Sequence, residues 1–152
     1  MRSTCSFVSF DRRFRLLKLD LALDSNLPAI YVVADHLVQV AMNLLINAAD
    51  ALQDRHDPAP TIRVSTSSRD GKVAIEVCDN GAGIDPAHLG RVFDEYFSTK
   101  GRGRGSGLGL SLCRSLIRSA GGDITIASVV GSGTTATVTL PILPMGDIKA
   151  EQ

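Results

Sequence analysis

Residues 38–52 read VQVAMNLLINAADAL, and this stretch decides the fold. At helical spacing Leu37, Val40, Ala41, Leu44, Leu45, Ala48 and Leu52 form one broad apolar stripe, so the segment is an amphipathic helix that buries one side. The opposite side carries Gln39, Asn43, Asn47, Asp50 and Asp54. A solvated helix face is usually filled with Lys and Glu, which are good helix formers. Asn is a poor one, because its short amide competes with the backbone for hydrogen bonds. Two amides one turn apart suit oxygen donation to a hard cation or to the polar edge of a ligand. This stretch alone leaves an ordinary amphipathic helix equally open.

Upstream, residues 14–24 (FRLLKLDLALD) alternate, with Leu17, Leu19, Leu21 and Leu23 on one side, as in a half-buried strand. Residues 25–28 (SNLP) make a turn, residues 29–33 a short second strand, and Asp35 the N-cap of the helix, which extends to about residue 54. Downstream, the loop RHDPAP leads to strands over 61–67 and 72–79, joined at Arg69-Asp70-Gly71 in a hairpin. The second of these strands runs into DNGAGI at 79–84. Asp85-Pro86 opens a short helix to about Phe93. Residues 94–106 have no period and hold Lys100, Arg102 and Arg104 among glycines, a loop of a length that is usually functional. A second amphipathic helix over 107–120 ends at Gly121-Gly122, and strands over 123–129 and 134–140 flank Gly131-Ser132-Gly133. This order is not alternating βαβ. It predicts an α+β sandwich, one mixed sheet covered by helices on one face.

The 152 residues suit one domain with a real core. Residues 1–13 read as an extension or linker, 14–144 as the domain and 145–152 as a tail. Lys+Arg and Asp+Glu both number 16, so no basic excess points to nucleic acid. The three cysteines have no CxxC pairing, which argues against a zinc site or disulfide framework and for a reducing compartment. Cys78 and Cys113 read as small core residues. No apolar run is long enough to cross a membrane, and no direct membrane contact is expected.

Two segments suggest ligand chemistry. There is no GxxxxGK[ST] and no proper GxGxxG after a strand, so neither a P-loop nor a dinucleotide fold is indicated. GRGRGSGLGL still enters a helix N-terminus, where bare N–H groups and the helix dipole favour an anion such as phosphate. Asp79, at a strand end with Gly81 and Gly83 permitting close approach, could accept a hydrogen bond from a ring amine, although an Asp-Asn-Gly turn is also common.

These motifs, in this order, resemble the ATP-binding catalytic domain of sensor histidine kinases, in the wider group with gyrase, Hsp90 and MutL ATPases. An N box (39–51, QVAMNLLINAADA), a first glycine box (79–84, DNGAGI), an F box (93–100, FDEYFSTK), a second glycine box (105–110, GSGLGL) and a final GSGTT (131–135) span nearly the whole chain. The Ser-Thr-Lys ending of the F box resembles the nitrogen-regulatory subgroup. The resemblance implies a Bergerat-type two-layer α/β sandwich that binds ATP and Mg2+. It implies that Asn47 ligates Mg2+, with Asp50 on the same ligand-binding face. Asp79 would bind the adenine amine with Thr134 nearby, and Gly81, Gly83 and Ile84 would line the adenine pocket. Phe93 belongs to the F box. Gly105, Ser106, Gly107, Leu108 and Gly109 would hold the phosphates, Lys100 would reach the terminal phosphate, and 94–106 would be the ATP lid.

Hydrolysing relatives carry Glu one turn before the Mg2+ Asn; here that position is Asn43, counted with Lys100 among the catalytic candidates. An amide takes no proton at neutral pH, which favours transfer to a protein nucleophile over hydrolysis. None of His36, His56 and His88 occupies a family acceptor position. The resemblance therefore implies a fragment, or a domain acting in trans, that phosphorylates a histidine on a separate dimerisation domain and feeds a response regulator. It further implies a monomeric cytoplasmic domain, whether or not the parent protein is membrane-anchored. The rival readings are an anti-sigma-type serine kinase, a non-catalytic nucleotide-dependent interaction module and a hydrolysing ATPase of the gyrase type.

Overall fold

Period-two alternation sorts the strand residues onto two faces. Ile62, Val64, Val73, Ile75, Val77, Ala136, Val138 and Leu140 are buried, while Arg63, Ser65, Glu76 and Thr137 lie on the more open side. The computed structural model describes residues 1–2, 4–5, 12–56, 58–97 and 109–144. Its strands are β1 (Lys18–Leu23), β2 (Thr61–Arg69), β3 (Lys72–Asp79), β4 (Asp123–Val129) and β5 (Gly133–Pro141), in the spatial order β1-β2-β3-β5-β4. β1 runs parallel to β2 and every other pairing is antiparallel. Helical elements among the described residues include a 3-10 turn (Arg12–Phe14), α1 (Ala34–Asp50), the short α2 (Pro86–Leu89) and α3 (Gly109–Ser119). α1 and α3 supply Val40, Leu44, Leu45, Ala48, Cys113 and Ile117 to the core, against the buried face of the sheet. This is the expected mixed-sheet α+β sandwich.

Local chemistry explains most boundaries. Asp70 (φ 51°) and Gly71 (φ 74°) make a two-residue turn with both φ positive, whose twist suits the β2–β3 hairpin. α3 ends in a Schellman motif: Gly122 N–H donates to Ile117 O at 3.1 Å and Gly121 N–H to Arg118 O at 3.0 Å, with Gly121 at φ 82°.

Several expectations are corrected. α1 begins at Ala34 after Val33, which makes no side-chain cap; Asp35 lies in the first turn, where its charge complements the helix dipole. The helix stops at Asp50 and continues as tight turns. Residues 29–33 form only one bridge, Ile30 to Ile142, because Pro28, Pro141 and Pro144 lack the N–H groups a longer ladder needs. α2 ends at Leu89, beside Gly90, and four-residue turns carry the chain to Phe97. Cys113 is fully buried, but Cys78 is half-buried on the open face, where its sulfur accepts from Thr135 Oγ1 at 3.3 Å. Near the N-terminus, Cys5 and Phe14 pack into the core. Among the described residues, no helix is long and apolar enough to cross a membrane. Residues 98–106 of the expected 94–106 lid, with Lys100, Gly105 and Ser106, then Gly107 and Leu108 of the second glycine box, and the expected tail 145–152 lie outside the described residues.

Candidate functional site

The sequence DNGAGI leaves β3 at a corner that only glycines can enter. A Cβ on Gly81 would sit 2.6 Å from Ala51 O, just past the end of α1. One on Gly83, at φ +77°, would sit 2.4 Å from Val129 O, and one on Gly133, at φ +131°, would meet Asp79 O at 1.9 Å. Three backbone segments thus meet without side chains between them: the end of α1, the 79–84 loop and the β4–β5 turn.

Asp79 is in that corner, 7% exposed. Its Oδ1 accepts from Gly81 N–H at 2.9 Å. Burial pushes its carboxyl above the ordinary value, while the backbone N–H groups of Gly81 and Thr134 and the charge of Arg55 pull it back. Thr134 faces Asp79 across the β3–β5 ladder. The Thr134 hydroxyl is 2.9 Å from Ser128 Oγ, which also takes Ile84 N–H at 2.8 Å and donates to Gly133 O at 3.0 Å. Asn80 turns away and holds the β2 entry, accepting from Thr61 N–H at 2.9 Å and donating to Ala59 O at 3.0 Å.

The polar face of α1 leads out of this corner. Asn43 Nδ2 donates to Cys113 Sγ at 3.4 Å, and a Cβ on Gly109 would be 3.8 Å from Asn43 Oδ1. Burial raises the Cys113 thiol, which therefore stays neutral. Asn43 thus faces the first turn of α3, and Ala51 faces the 79–84 loop. The eight residue steps from Asn43 to Ala51 rise about 12 Å, with Asn47 midway. Asp50 pairs with Arg13 at 3.5 Å.

Phe93 packs against the core, with the Arg114 guanidinium 4.4 Å from its ring centroid. Arg114 also grips Asp123 through two hydrogen bonds of 2.9 and 3.3 Å, and Arg118 adds a third at 3.2 Å. These contacts hold the Asp123 carboxyl well below the usual carboxylate range. Nearby, the Arg91 guanidinium lies 4.7 Å from the Phe97 ring centroid.

Residues 32–144 match the family model described as histidine kinase-, DNA gyrase B- and HSP90-like ATPase. The chain belongs to this family. It is 41% identical over 126 residues to the signal transduction histidine-protein kinase AtoS of Escherichia coli K12, covering 82% of this chain and 20% of that protein. It is 37% identical over 135 residues to the sensor histidine kinase ZraS of the same strain, covering 89% of this chain and 28% of that one. The chain therefore spans less than a third of these relatives. A structure of full-length ShkA in complex with AMPPNP has the same fold, with a TM-score of 0.77 at 26% identity, covering 92% of this chain and 28% of that one.

Of the residues named from the family's motifs, the structure gathers Asp79, Gly81, Gly83, Ile84 and Thr134 at one corner. It places Asn43 opposite Gly109, with Asn47 between that contact and the corner. Phe93 stands apart, against α3. Two residues that pattern reasoning missed are Arg55 and Ser128. Arg55 lies in a loop with no periodicity, and its Nη1 and Nη2 donate to Gly81 O at 3.0 Å and Gly131 O at 2.9 Å. Ser128 is one polar residue on a strand. No sequence signal marks either, because their partners are set by tertiary contact.

Proposed function

We propose that the chain is the ATP-binding catalytic domain of a two-component sensor histidine kinase. It binds Mg-ATP and transfers the terminal phosphate to a histidine on a separate dimerisation domain, from which a response regulator is served. The observation that carries this reading is Asp79. A carboxylate is held almost out of water, with its Oδ1 fixed by Gly81, in a corner where a Cβ on Gly81 or Gly83 would collide with backbone. A flat polar ring that presents an amine suits that corner, and an ionised Asp79 accepts the amine's hydrogen bond. The names of the relatives, and the AMPPNP in ShkA, support the same reading.

The donor set fits the cofactors. The Asn47 amide oxygen is a hard ligand for Mg2+, on the α1 face between the Asp79 corner and the start of α3. When bound, the ion screens phosphate charge. Asp79 and Thr134 orient the base, Gly81, Gly83 and Ile84 border it, and Asp50 belongs to the same helix face as Asn47. Gly109 opens α3, and with Gly105, Ser106, Gly107, Leu108 and Lys100 it forms the phosphate end of this reading. Asn43 positions without taking a proton, so no side chain at that place deprotonates water. The isolated domain is monomeric and works in the cytoplasm.

The test is phosphotransfer. The chain is mixed with Mg2+, ATP labelled at its terminal phosphate, and a helical dimerisation domain from a relative such as AtoS. Acid-labile, base-stable label on that domain's histidine is the expected result. Label on serine, or release of inorganic phosphate alone, would overturn it.

A further inference from the structure

The Gly81 backbone is free of side-chain restraint, because the nearby Ala51 carbonyl excludes any Cβ. Its two dihedrals must therefore be fixed from outside. On one side its N–H donates to Asp79 Oδ1 at 2.9 Å. On the other its carbonyl accepts from Arg55 Nη1 at 3.0 Å, while Arg55 Nη2 donates to Gly131 O at 2.9 Å. Gly131 N–H in turn donates to Ala82 O at 2.7 Å. A single planar fork thus spans two turns that are 50 residues apart in sequence, Gly81 to Gly131. Arg55 Nε is buried without a hydrogen-bond partner, so the two carbonyls set the placement of the guanidinium.

We propose that Arg55 is a positioning residue for the adenine end of the site. It locks the peptide after Gly81 and ties the 79–84 loop to the β4–β5 turn, and in this way it aims the Asp79 carboxylate at the purine amine. The proposal rests on Asp79 as the adenine acceptor. Lys cannot replace the fork, because one ammonium is a compact point charge without the two parallel donors.

The experiment is calorimetric titration of this chain, Arg55→Gln and Arg55→Lys, each with Mg2+-AMPPNP and with Mg2+ and inorganic triphosphate, beside thermal unfolding. Arg55→Gln is expected to weaken AMPPNP about tenfold while triphosphate affinity stays unchanged. Arg55→Lys, which keeps the charge, is expected to fall between the two. Equal loss for both ligands in step with a lowered Tm would make Arg55 a structural residue only and overturn the proposal, as would unchanged AMPPNP affinity in both variants. If the unsubstituted chain binds triphosphate but shows no preference for AMPPNP, the adenine assignment of Asp79 falls first and takes the Arg55 role with it.

Discussion

Two regions border the site, and they are held by different means. The corner around Asp79 is fixed by backbone: Gly81, Gly83 and Gly133 bring three segments into direct contact, and Arg55 and Ser128 bond mainly to main-chain groups. The segment from Arg91 to Phe97 has its own backbone turns, but side chains anchor it. Phe93 lies under Arg114 and Phe97 under Arg91, while Tyr96 stands 77% exposed at φ 63°, a backbone angle few non-glycine residues adopt. Backbone contacts have no rotamers to exchange, so they suit a pocket for a flat ring. Cation–π and ion-pair contacts are individually weak and can be remade, which sets this segment apart from the corner.

If this contrast is right, glycine substitutions at the corner have the largest effects. Gly133→Ala would force a methyl into Asp79 O at a positive φ, and should destabilise the domain by about 3 kcal/mol. Gly131→Ala, which has a positive φ but open space around it, should cost only about 1 kcal/mol. Urea unfolding of both variants measures the difference. Equal losses would mean that the close approach at Gly133 contributes nothing beyond its dihedral.

Asp79→Asn comes next. Under the adenine assignment proposed for Asp79, the substitution takes a charged acceptor from the purine amine, and AMPPNP affinity should fall by about 2 kcal/mol while triphosphate affinity holds. Folding responds with the opposite sign. The folded-state value of Asp79 is raised, so its protonated form adds stability that is present below the ordinary carboxylate value and is lost as pH rises through the raised value. At neutral pH the ionised, buried group is a cost, and Asp79→Asn should unfold no lower than the unsubstituted chain. AMPPNP binding should weaken as pH falls through the same window. A lowered Tm in Asp79→Asn would show that the charge supports the fold instead.

How far all this was legible depends on the range of the interactions. The 3.6-residue stripe of 38–52 and the Asp-Gly hairpin are local, and both are present, although the helix stops at Asp50 and β2 runs on through Arg69. The corner glycines could be named from DNGAGI and GSGTT, but the reason for them could not. Gly83 is packed against Val129 and Gly133 against Asp79, contacts 46 and 54 residues apart in the chain. Arg55 was invisible for the same reason. The Asp35 cap failed because any Asp ahead of an apolar period looks like a cap, whereas the cap position falls two residues earlier, at Val33. The parallel β1–β2 pairing leaves no mark in either strand, since alternation shows which face is buried but not which neighbour is paired.

Asn47 tests whether the α1 face and the corner are separable. Asn47→Ala should remove the Mg2+-dependent part of AMPPNP binding, about tenfold, and leave the Mg2+-free affinity and the unfolding curve in place. Unchanged affinity with Mg2+ present would move the ion elsewhere. Loss of Mg2+-free binding as well would mean that α1 and the corner act as one unit.

The smallest effect is expected on the side-chain-held side. Arg114→Met removes the cation over Phe93 and one of the two arginine partners of Asp123, leaving Arg118. Both charged groups are partly exposed, at 29% and 39%, so solvent screening discounts the pair to about 0.5–1 kcal/mol. At roughly 2–4 °C per kcal/mol for a domain of this size, the Tm should fall by about 2 °C. The pH dependence distinguishes its two components. Asp123 is held below the ordinary carboxylate value, so its share of stability is present above that value and disappears as pH falls through the lowered one. The cation–π contact with Phe93 does not titrate there. The gap between the unsubstituted chain and Arg114→Met should therefore narrow in acid without closing. A gap that closes completely would leave Phe93 with no stake in Arg114. A gap that ignores pH would assign the whole effect to the ring and make the Asp123 pair a solvated surface contact.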